Sequence, residues 1–216
     1  MYFFKTPKLF KFLYPEALWH GDRKKKKIYL TFDDGPVPEV SDYILDVLSD
    51  LDVKATFFCV GDNIKKYPEV FKRIIDEEHG IGNHTFNHLN GWKVNEEDYL
   101  KNIQLCDEAI NNNSRTGPVK LFRPPYGKIR KKILKRIRNE YKIIMWDVLS
   151  YDFSAKMTAE KCLENSLKYT RNGSIIIFHD SKKSFEKNKL IISQYIQHFK
   201  SKNYDFCKIE DLYLKS

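Results

Sequence analysis

The 216-residue chain is poor in the residues that characterise non-globular or cross-linked proteins, with only 9 glycines, 8 prolines and 4 cysteines. This composition excludes collagen-like and low-complexity architectures. The cysteines are far apart and form no CxxC pair, so buried free thiols are expected and a zinc knuckle is not. Hydrophobic runs never exceed four residues, whereas a transmembrane helix needs about 20. We therefore predict a folded chain without a transmembrane span.

Positive charge is in excess, because 38 Lys and Arg against 29 Asp and Glu give a net charge of +9. The two basic runs are Lys24–Lys27 and Lys128–Arg138. The second run carries isoleucine and leucine at helical spacing, which is typical of an amphipathic helix with a solvated basic face. Since no basic motif with interleaved aromatics occurs, we expect no nucleic-acid partner. Anionic glycans or phospholipid headgroups fit this charge better.

From residue 27 onward, short β-rich segments alternate with segments of helical periodicity. The predicted strands are Lys27–Phe32, Ala55–Val60, Gly80–Asn83, Leu121–Phe122, Lys142–Trp146, Ser174–Phe178 and Tyr204–Cys207. Such alternation predicts a parallel sheet with crossover helices. Because neither GxGxxG nor a P-loop follows a strand, a barrel is favoured over a nucleotide-binding open sheet. We predict a single-domain α/β fold, a (β/α) barrel over residues 27–216, with residues 1–26 as an N-terminal extension packed on it.

Ionisable residues follow the predicted strands at the points where the strands end. They are Asp33 and Asp34, His84, Arg123, Asp147 and Asp152, and His179 and Asp180. The active sites of (β/α) barrels lie at the carboxyl ends of the strands. The positions of these side chains therefore favour an enzyme.

Two histidines, His84 and His88, are spaced i and i+4, and on a helical turn they share one face and can bind one metal ion. A catalytic zinc site typically has three protein ligands. Either Asp33 or Asp34 can supply the third, and the other can then act as a base. Taken alone, however, the Asp-Asp-Gly-Pro segment is more typical of a simple turn than of a metal site.

Four motifs occur in a fixed order along the chain. They are TFDDGP at Thr31–Pro36, HTFNH at His84–His88, RPPYG at Arg123–Gly127 and IFHD at Ile177–Asp180. The series resembles the polysaccharide deacetylases of carbohydrate esterase family four, the NodB-homology domain. The resemblance implies a distorted (β/α) barrel of about seven parallel strands. It also implies a metal-dependent hydrolase that removes acetyl groups from N-acetylated amino sugars of a poly- or oligosaccharide.

The resemblance also implies roles for five residues. Asp34, His84 and His88 correspond to the ligands of one divalent metal, with zinc favoured and cobalt, nickel or manganese as alternatives. Asp33 corresponds to the general base that deprotonates the metal-bound water. His179 corresponds to the general acid that protonates the leaving amine.

Three further residues are implied to support the reaction. Arg123 resembles the family's arginine that holds the carboxylate of Asp33 in place. The backbone N–H of Tyr126 corresponds to the donor that stabilises the oxyanion. Asp152 matches an aspartate that we expect to orient His179 and raise its pKa.

The chain departs from the family's D-x-x-D-W pattern. Leu149 replaces the first aspartate, and Phe153 replaces the tryptophan that lines the acetyl pocket. Phenylalanine keeps an apolar wall but has no indole N–H. Trp146 or Asp147 is the nearest residue that could compensate.

Two alternatives to the N-deacetylase remain at this point. The first is an esterase that removes O-acetyl groups from sugars, and the second is a catalytically silent glycan-binding module on the same barrel. The complete set of ionisable motif residues disfavours the silent module. No cleavable signal peptide is expected, because no apolar stretch of suitable length follows the first residues. The interpretation is therefore a cytoplasmic or membrane-peripheral protein, in which the aromatic and basic N-terminus contacts a membrane surface; the oligomeric state is left open.

Overall fold

The structure, a computed structural model, describes residues 2–113 and 120–214. Strands are β1 Lys27–Asp33, β2 Thr56–Cys59, β3 Gly80–Asn83, β4 Lys120–Phe122, β5 Tyr141–Ile143, β6 Val148–Leu149, β7 Ser174–His179 and β8 Asp205–Phe206. Helices are α1 Lys8–Leu13, α2 Val40–Asp50, α3 Gly61–Lys66, α4 Pro68–Asp76, α5 Glu96–Asn111, α6 Lys131–Ile137, α7 Ala159–Tyr169 and α8 Phe185–Lys200, with short 3-10 turns at Pro125–Gly127 and Ile209–Leu212.

The strands form one curled parallel sheet in the order β5-β4-β3-β2-β1-β7-β6, and β8 pairs with the first residues of β1. Strand β1 lies at the centre and is buried from Ile28 to its end. Near-continuous hydrophobic strands are expected where helices cover a parallel sheet. The predicted single-domain α/β fold with a parallel, barrel-like sheet is confirmed; the sheet is a curled half-barrel, and it places the carboxyl ends of the strands at one mouth.

Three strand predictions were too long and another strand was missed. The segments predicted as Ala55–Val60 and Tyr204–Cys207 are strands only over Thr56–Cys59 and Asp205–Phe206. The segment predicted as Lys142–Trp146 forms the strand Tyr141–Ile143, after which Ile144 makes an isolated bridge to Leu18. The two-residue strand Val148–Leu149 was not predicted. A two-residue strand has no hydrophobic periodicity that would identify it. Its position beside β7 comes from tertiary pairing, at Val148 with Ile176.

Part of the N-terminal extension lies between β5 and β6, the two ends of the sheet. Leu18 donates its N–H to the Ile143 carbonyl and accepts from the Met145 N–H, both at 2.8 Å. Farther along, the Leu149 N–H donates to the Phe4 carbonyl at 2.9 Å. These bonds satisfy edge groups that an open sheet leaves unpaired. The boundary at residue 26 stays a prediction.

Asp147 anchors this extension. Its carboxylate is fully buried and accepts from Lys11 Nζ and Ser174 Oγ, each at 2.8 Å, and pairs with an Arg23 guanidinium nitrogen at 2.8 Å. Burial disfavours the charge, but Lys11 and Arg23 outweigh it and hold the pKa of Asp147 below its ordinary value. Asp147 thus ties α1 to the sheet.

We expect Asp147→Asn to lower the free energy of unfolding by about 2–4 kcal/mol at neutral pH, because two partly buried cations lose their counter-charge. A carboxylate with a lowered folded pKa contributes stability above its unfolded pKa of about 3.9, and this contribution is lost as the pH falls through the folded value. The difference between variant and wild type should therefore shrink below about pH 4. Urea unfolding of wild type and variant, at neutral pH and again below about pH 4, measures this difference in stability. The substitution Asp205→Asn, at an exposed position, is the control and should change stability by less than about 0.5 kcal/mol. Equal losses of stability in the Asp147 and Asp205 variants would contradict the anchoring role of Asp147.

The cysteine prediction is confirmed for the described residues. Cys59, Cys106 and Cys162 are buried free thiols, and Cys207 is half-buried and also free. Burial raises the pKa of Cys106 and of Cys162, which favours the unreactive thiol form. Within residues 2–113 and 120–214, none of the helices combines the length and apolarity needed to cross a bilayer.

Candidate active site

A cleft of about 700 Å³ opens at the carboxyl ends of the strands. Its walls carry most of the predicted site residues: Asp33, Asp34, His84, His88, Tyr126, Trp146, Leu149, Phe153 and His179. They lie at the ends of β1, β6 and β7 or in the segments that follow β1, β3, β4, β5 and β6, so the predicted convergence at the strand ends is observed.

Strand register places Asp33 beside His179. Strands β1 and β7 pair in parallel up to these two residues, so their side chains reach the same end of the sheet. Asp33 is buried, whereas Asp34 is half-buried and turns away from the strand with a φ of 84°. The two adjacent carboxylates therefore have different surroundings.

Asp180 holds the turn that follows Asp34, a role that the sequence did not reveal. Its buried carboxylate accepts from the Gly35 N–H at 2.8 Å and from Ser41 Oγ at 2.7 Å. A Cβ on Gly35 would lie 1.7 Å from an Asp180 oxygen, so only glycine allows this approach. Burial, together with the neighbouring Asp34, raises the pKa of Asp180 to about 8, so its protonated form is favoured at neutral pH.

The histidine motif lies on an irregular loop after β3, and the expected helical turn is wrong. Thr85 and His88 have positive φ values of 62° and 53°, which interrupt helical geometry. The Asn83 side chain accepts from the Thr85 N–H at 2.8 Å, and Thr85 Oγ1 accepts from the Leu89 N–H at 3.0 Å. These local bonds bend the loop so that His84 and His88 still converge, with ring centroids 5.1 Å apart.

Helix α5 supports the same loop through Asn102, which sequence reasoning missed. The Asn102 side-chain amide accepts from the Asn87 backbone N–H and donates to the Asn87 side-chain oxygen, each at 2.9 Å. The Asn102 backbone carbonyl accepts from the Phe86 N–H at 3.0 Å. In the sequence, Asn102 stands between the apolar residues Tyr99 and Ile103. A polar residue on an apolar helical face was the available signal.

Asp34, His84 and His88 bring three potential ligand atoms within 4.8 Å of one another. Asp34 Oδ1 lies 3.1 Å from His88 Nε2 and 3.6 Å from His84 Nε2. Bonds of about 2.0–2.1 Å in a tetrahedral zinc site separate two ligand atoms by about 3.3 Å, so these distances fit. His84 Nδ1 bonds the Arg123 carbonyl at 2.8 Å, and because a carbonyl only accepts, Nε2 keeps its lone pair for a metal.

Asp34 is ionised in this arrangement. Burial works against its charge, but the adjacent imidazoles of His84 and His88, together with the charge of His179, outweigh burial and hold its pKa far below the ordinary value. An anionic oxygen beside two imidazoles is the type of donor set that zinc and other divalent transition metals prefer.

Arg123 fixes one oxygen of Asp33. Its guanidinium has no exposed surface and donates to Asp33 Oδ1 at 2.6 Å and to Thr31 Oγ1 at 2.8 Å. It also donates to two backbone carbonyls and lies 4.0 Å from the Phe58 ring centre. The second oxygen of Asp33, Oδ2, lies 4.0 Å from His84 Nε2, on the side of the metal ligands.

Asp152 holds His179 at two points. Its carboxylate lies 2.8 Å from His179 Nδ1, accepts the His179 backbone N–H at 2.7 Å, and accepts from Ser150 Oγ at 2.8 Å. Burial disfavours the charged ring, but the Asp152 carboxylate outweighs this and raises the pKa of His179 to about 9. His179 is therefore an imidazolium at neutral pH.

The RPPYG motif forms a tight turn at the rim of the cleft. Tyr126 has a φ of 60°, and the centre of its exposed ring lies 4.6 Å from that of His88. Gly127 also has a positive φ, and a Cβ there would lie 2.5 Å from the Trp146 indole. This turn therefore brings the Tyr126 backbone and the Trp146 ring to the cleft.

The departures from the family pattern leave an apolar wall. Leu149 and Phe153 line the cleft, and the Phe153 ring meets His179 edge-on at 4.8 Å. Trp146 and Asp147 are the two residues that could compensate for the family residues replaced by Leu149 and Phe153. Trp146 lines the cleft, whereas Asp147 pairs with Lys11 of the N-terminal extension, so only Trp146 is positioned for this role.

A family model described as polysaccharide deacetylase matches residues 20–142. The chain is 40% identical over 162 residues to a peptidoglycan-N-acetylglucosamine deacetylase of Bacillus cereus, covering 74% of this chain and 58% of that protein. It is 33% identical over 159 residues to a chitooligosaccharide deacetylase of Azorhizobium caulinodans, covering 73% and 75%. This chain thus spans less than two thirds of the Bacillus cereus protein.

Among solved structures, the fold is similar to that of the Bc1960 peptidoglycan N-acetylglucosamine deacetylase, with a TM-score of 0.87 and 34% identity over 96% of each chain. The family match includes Asp33, Asp34, His84, His88 and Arg123 but ends before β6 and β7. Sequence, fold and the arrangement of the motif residues agree: the chain belongs to the polysaccharide deacetylase family.

Proposed function

We propose that this protein is a metal-dependent hydrolase that removes the N-acetyl group from amino sugars of a poly- or oligosaccharide. The observation that supports the proposal is one cleft that brings together three side chains able to bind a metal ion, the buried carboxylate of Asp33 and the imidazole of His179. Similarity to proteins named as peptidoglycan and chitooligosaccharide deacetylases supports the same chemistry.

A divalent metal held by Asp34, His84 and His88 supplies Lewis-acid polarisation and lowers the pKa of bound water. Asp33 acts as the general base through Oδ2, because Arg123 occupies Oδ1 and fixes the direction of the carboxylate. A catalytic base of this kind contributes about 10²- to 10⁴-fold to a rate.

His179 acts as the general acid. Its Nδ1 is held by Asp152, which leaves Nε2 to give its proton to the departing sugar nitrogen. Water adds to the acetyl carbon, the C–N bond breaks, and acetate and a free amine are formed. An amide needs this proton because an unprotonated amine is a poor leaving group.

The oxyanion and the acetyl methyl group are assigned to the cleft rim. The backbone N–H of Tyr126 is fixed by the 125–127 turn and donates to the developing oxyanion, a contribution of about 3–4 kcal/mol. Trp146, Leu149 and Phe153 form the apolar wall that suits the methyl group. Phe153 thereby keeps this wall apolar, but it does not supply the indole N–H that a tryptophan would offer.

Acetate release tests the proposed function. Purified protein is incubated with N-acetylglucosamine oligomers, peptidoglycan fragments and acetylated xylan, before and after chelation and reloading with zinc, cobalt, nickel or manganese. We expect release from at least one N-acetylated glycan, loss on chelation and recovery on reloading. Release from xylan alone would favour the esterase, and no release from any glycan by metal-loaded protein would favour the silent module.

Replacing Asp152 with asparagine should shift the alkaline limb of the pH–rate profile to lower pH. The reaction needs protonated His179, so activity falls as the pH rises through its pKa of about 9. Removing the Asp152 charge lowers that pKa, and the fall begins earlier. The kcat profile on an N-acetylated oligomer measures the shift. Asp205→Asn is the control, and an unshifted limb in Asp152→Asn would exclude Asp152 as the residue that raises the pKa.

A further inference from the structure

The N-terminal segment presents a cluster of apolar side chains to solvent. Among residues 2–13, six large hydrophobic side chains are 37–81% exposed: Tyr2, Phe3, Leu9, Phe10, Phe12 and Leu13. Helix α1, Lys8–Leu13, contains no buried residue at all. Single exposed hydrophobic residues are ordinary, but a cluster of this density is typical of an interaction site.

Helix α1 is oriented with Lys11 toward the protein and its apolar face toward solvent. Leu9, Phe12 and Leu13 share one face by their i, i+3 and i+4 spacing, and Leu9 and Phe12 are 64% and 81% exposed. On the opposite face, Lys11 binds the buried Asp147 at 2.8 Å. A helix that used its apolar face for folding would have the reverse orientation. The apolar face of α1 is therefore available for a partner.

Charge distinguishes between the partners that could cover this face. Residues 2–15 contain three lysines and no acidic residue, and Lys5 and Lys8 are exposed with no ion pair to any described residue. In a two-fold dimer the same patch meets itself, so these lysines would face lysines. Aromatic residues mixed with lysine fit the interface of an anionic membrane, where rings enter the headgroup region and ammonium groups meet phosphates.

We propose that residues 2–13 form a docking surface for anionic phospholipid bilayers. The segment is rigidly attached to the catalytic domain: the Phe3 N–H donates to the Tyr151 hydroxyl at 2.9 Å, and Phe4 packs edge-on against the same ring at 4.9 Å. Tyr151 immediately precedes Asp152, the partner of His179. Lipid docking therefore holds the active-site cleft beside the membrane surface.

Vesicle co-sedimentation tests the docking surface without any substrate. The full chain is mixed with vesicles of equal parts phosphatidylglycerol and phosphatidylcholine, or of phosphatidylcholine alone. We expect binding to the anionic vesicles that weakens with added salt. The double variant Leu9→Ser with Phe12→Ser should reduce partitioning at least about tenfold. The matched control, Leu190→Ser with Leu214→Ser, changes side chains that are 57% and 54% exposed elsewhere and should bind as wild type.

Charge is tested in the same assay. Lys5→Gln with Lys8→Gln should reduce binding to anionic vesicles by about tenfold or more, because each lysine near such a surface contributes roughly fivefold. Lys131→Gln with Lys135→Gln, exposed lysines on α6, removes the same net charge elsewhere and should have little effect.

Three results would overturn the docking surface. They are absence of wild-type binding to anionic vesicles, equal binding by the Leu9/Phe12 variant, and a lipid-independent dimer in sedimentation velocity that the same variant dissociates. Circular dichroism and thermal unfolding verify that each variant folds. Because binding is measured without substrate, its outcome is independent of the acetate-release assay, and either proposal can fail alone.

Discussion

Replacing Asp33 with asparagine is expected to lower kcat for acetate release by about a hundred- to ten-thousandfold. An amide cannot take a proton from water, while asparagine keeps the size of the side chain and an oxygen that can accept from Arg123. The metal content should stay unchanged, because the three ligand atoms belong to Asp34, His84 and His88. Elemental analysis and steady-state kinetics on the same sample separate the two effects.

The same substitution should also destabilise the fold, which calls for a matched control. Arg123 is fully buried and loses the counter-charge that Asp33 provides at 2.6 Å, at a cost of about 3 kcal/mol. Asp147→Asn likewise removes a buried, ion-paired carboxylate, but one that lies outside the cleft. It should lower stability and leave kcat within about threefold of wild type. Wild-type turnover by Asp33→Asn would exclude Asp33 as the base.

The placement of Asp33 and His179 at the same end of the sheet could be predicted because it follows from strand direction, whereas their direct pairing depends on the observed strand order. Both residues end long apolar strands, and parallel strands bring such ends to one edge of the sheet. The location of the cleft and the types of its side chains follow from the same argument. The individual roles came from the resemblance to the family and stay proposals.

The bends that aim the histidines could not be predicted from spacing. The i and i+4 positions of His84 and His88 suggest a helix, but positive φ at Thr85 and His88 produces the convergence instead. That conformation depends on Asn102, which is distant in sequence and holds the loop through Asn87. Short-range pattern carries no information about such tertiary hydrogen bonds.

The same limit explains the missed pairing of the N-terminal extension. Its residues Phe4 and Leu18 lie between β5 and β6 through backbone bonds, which do not depend on side-chain type. The sequence showed only aromatic and lysine residues in this region. The outward orientation of the apolar face of α1 is also a tertiary effect, because it depends on the ion pair between Lys11 and the buried Asp147.

Replacing Asp34 with alanine is expected to weaken zinc binding by more than about a hundredfold. Loss of a residue that merely supports a ligand already costs about 10- to 100-fold in metal affinity, and Asp34 is the one acidic member of the set. The imidazoles of His84 and His88 remain, and they offer neither a third donor nor a negative charge. Acetate release should fall in parallel with metal occupancy and recover in part at high zinc concentration.

Asp62→Ala is the matched control for Asp34→Ala, because Asp62 also lines the cleft but pairs with Lys66 on its own helix. Its metal affinity and turnover should stay within about threefold of wild type. Zinc titration against a competing chelator measures affinity for both variants in the absence of substrate. Wild-type affinity in Asp34→Ala would exclude Asp34 as a ligand, whereas equal losses in both variants would indicate that the general negative charge of the cleft, and not coordination by Asp34, attracts the metal.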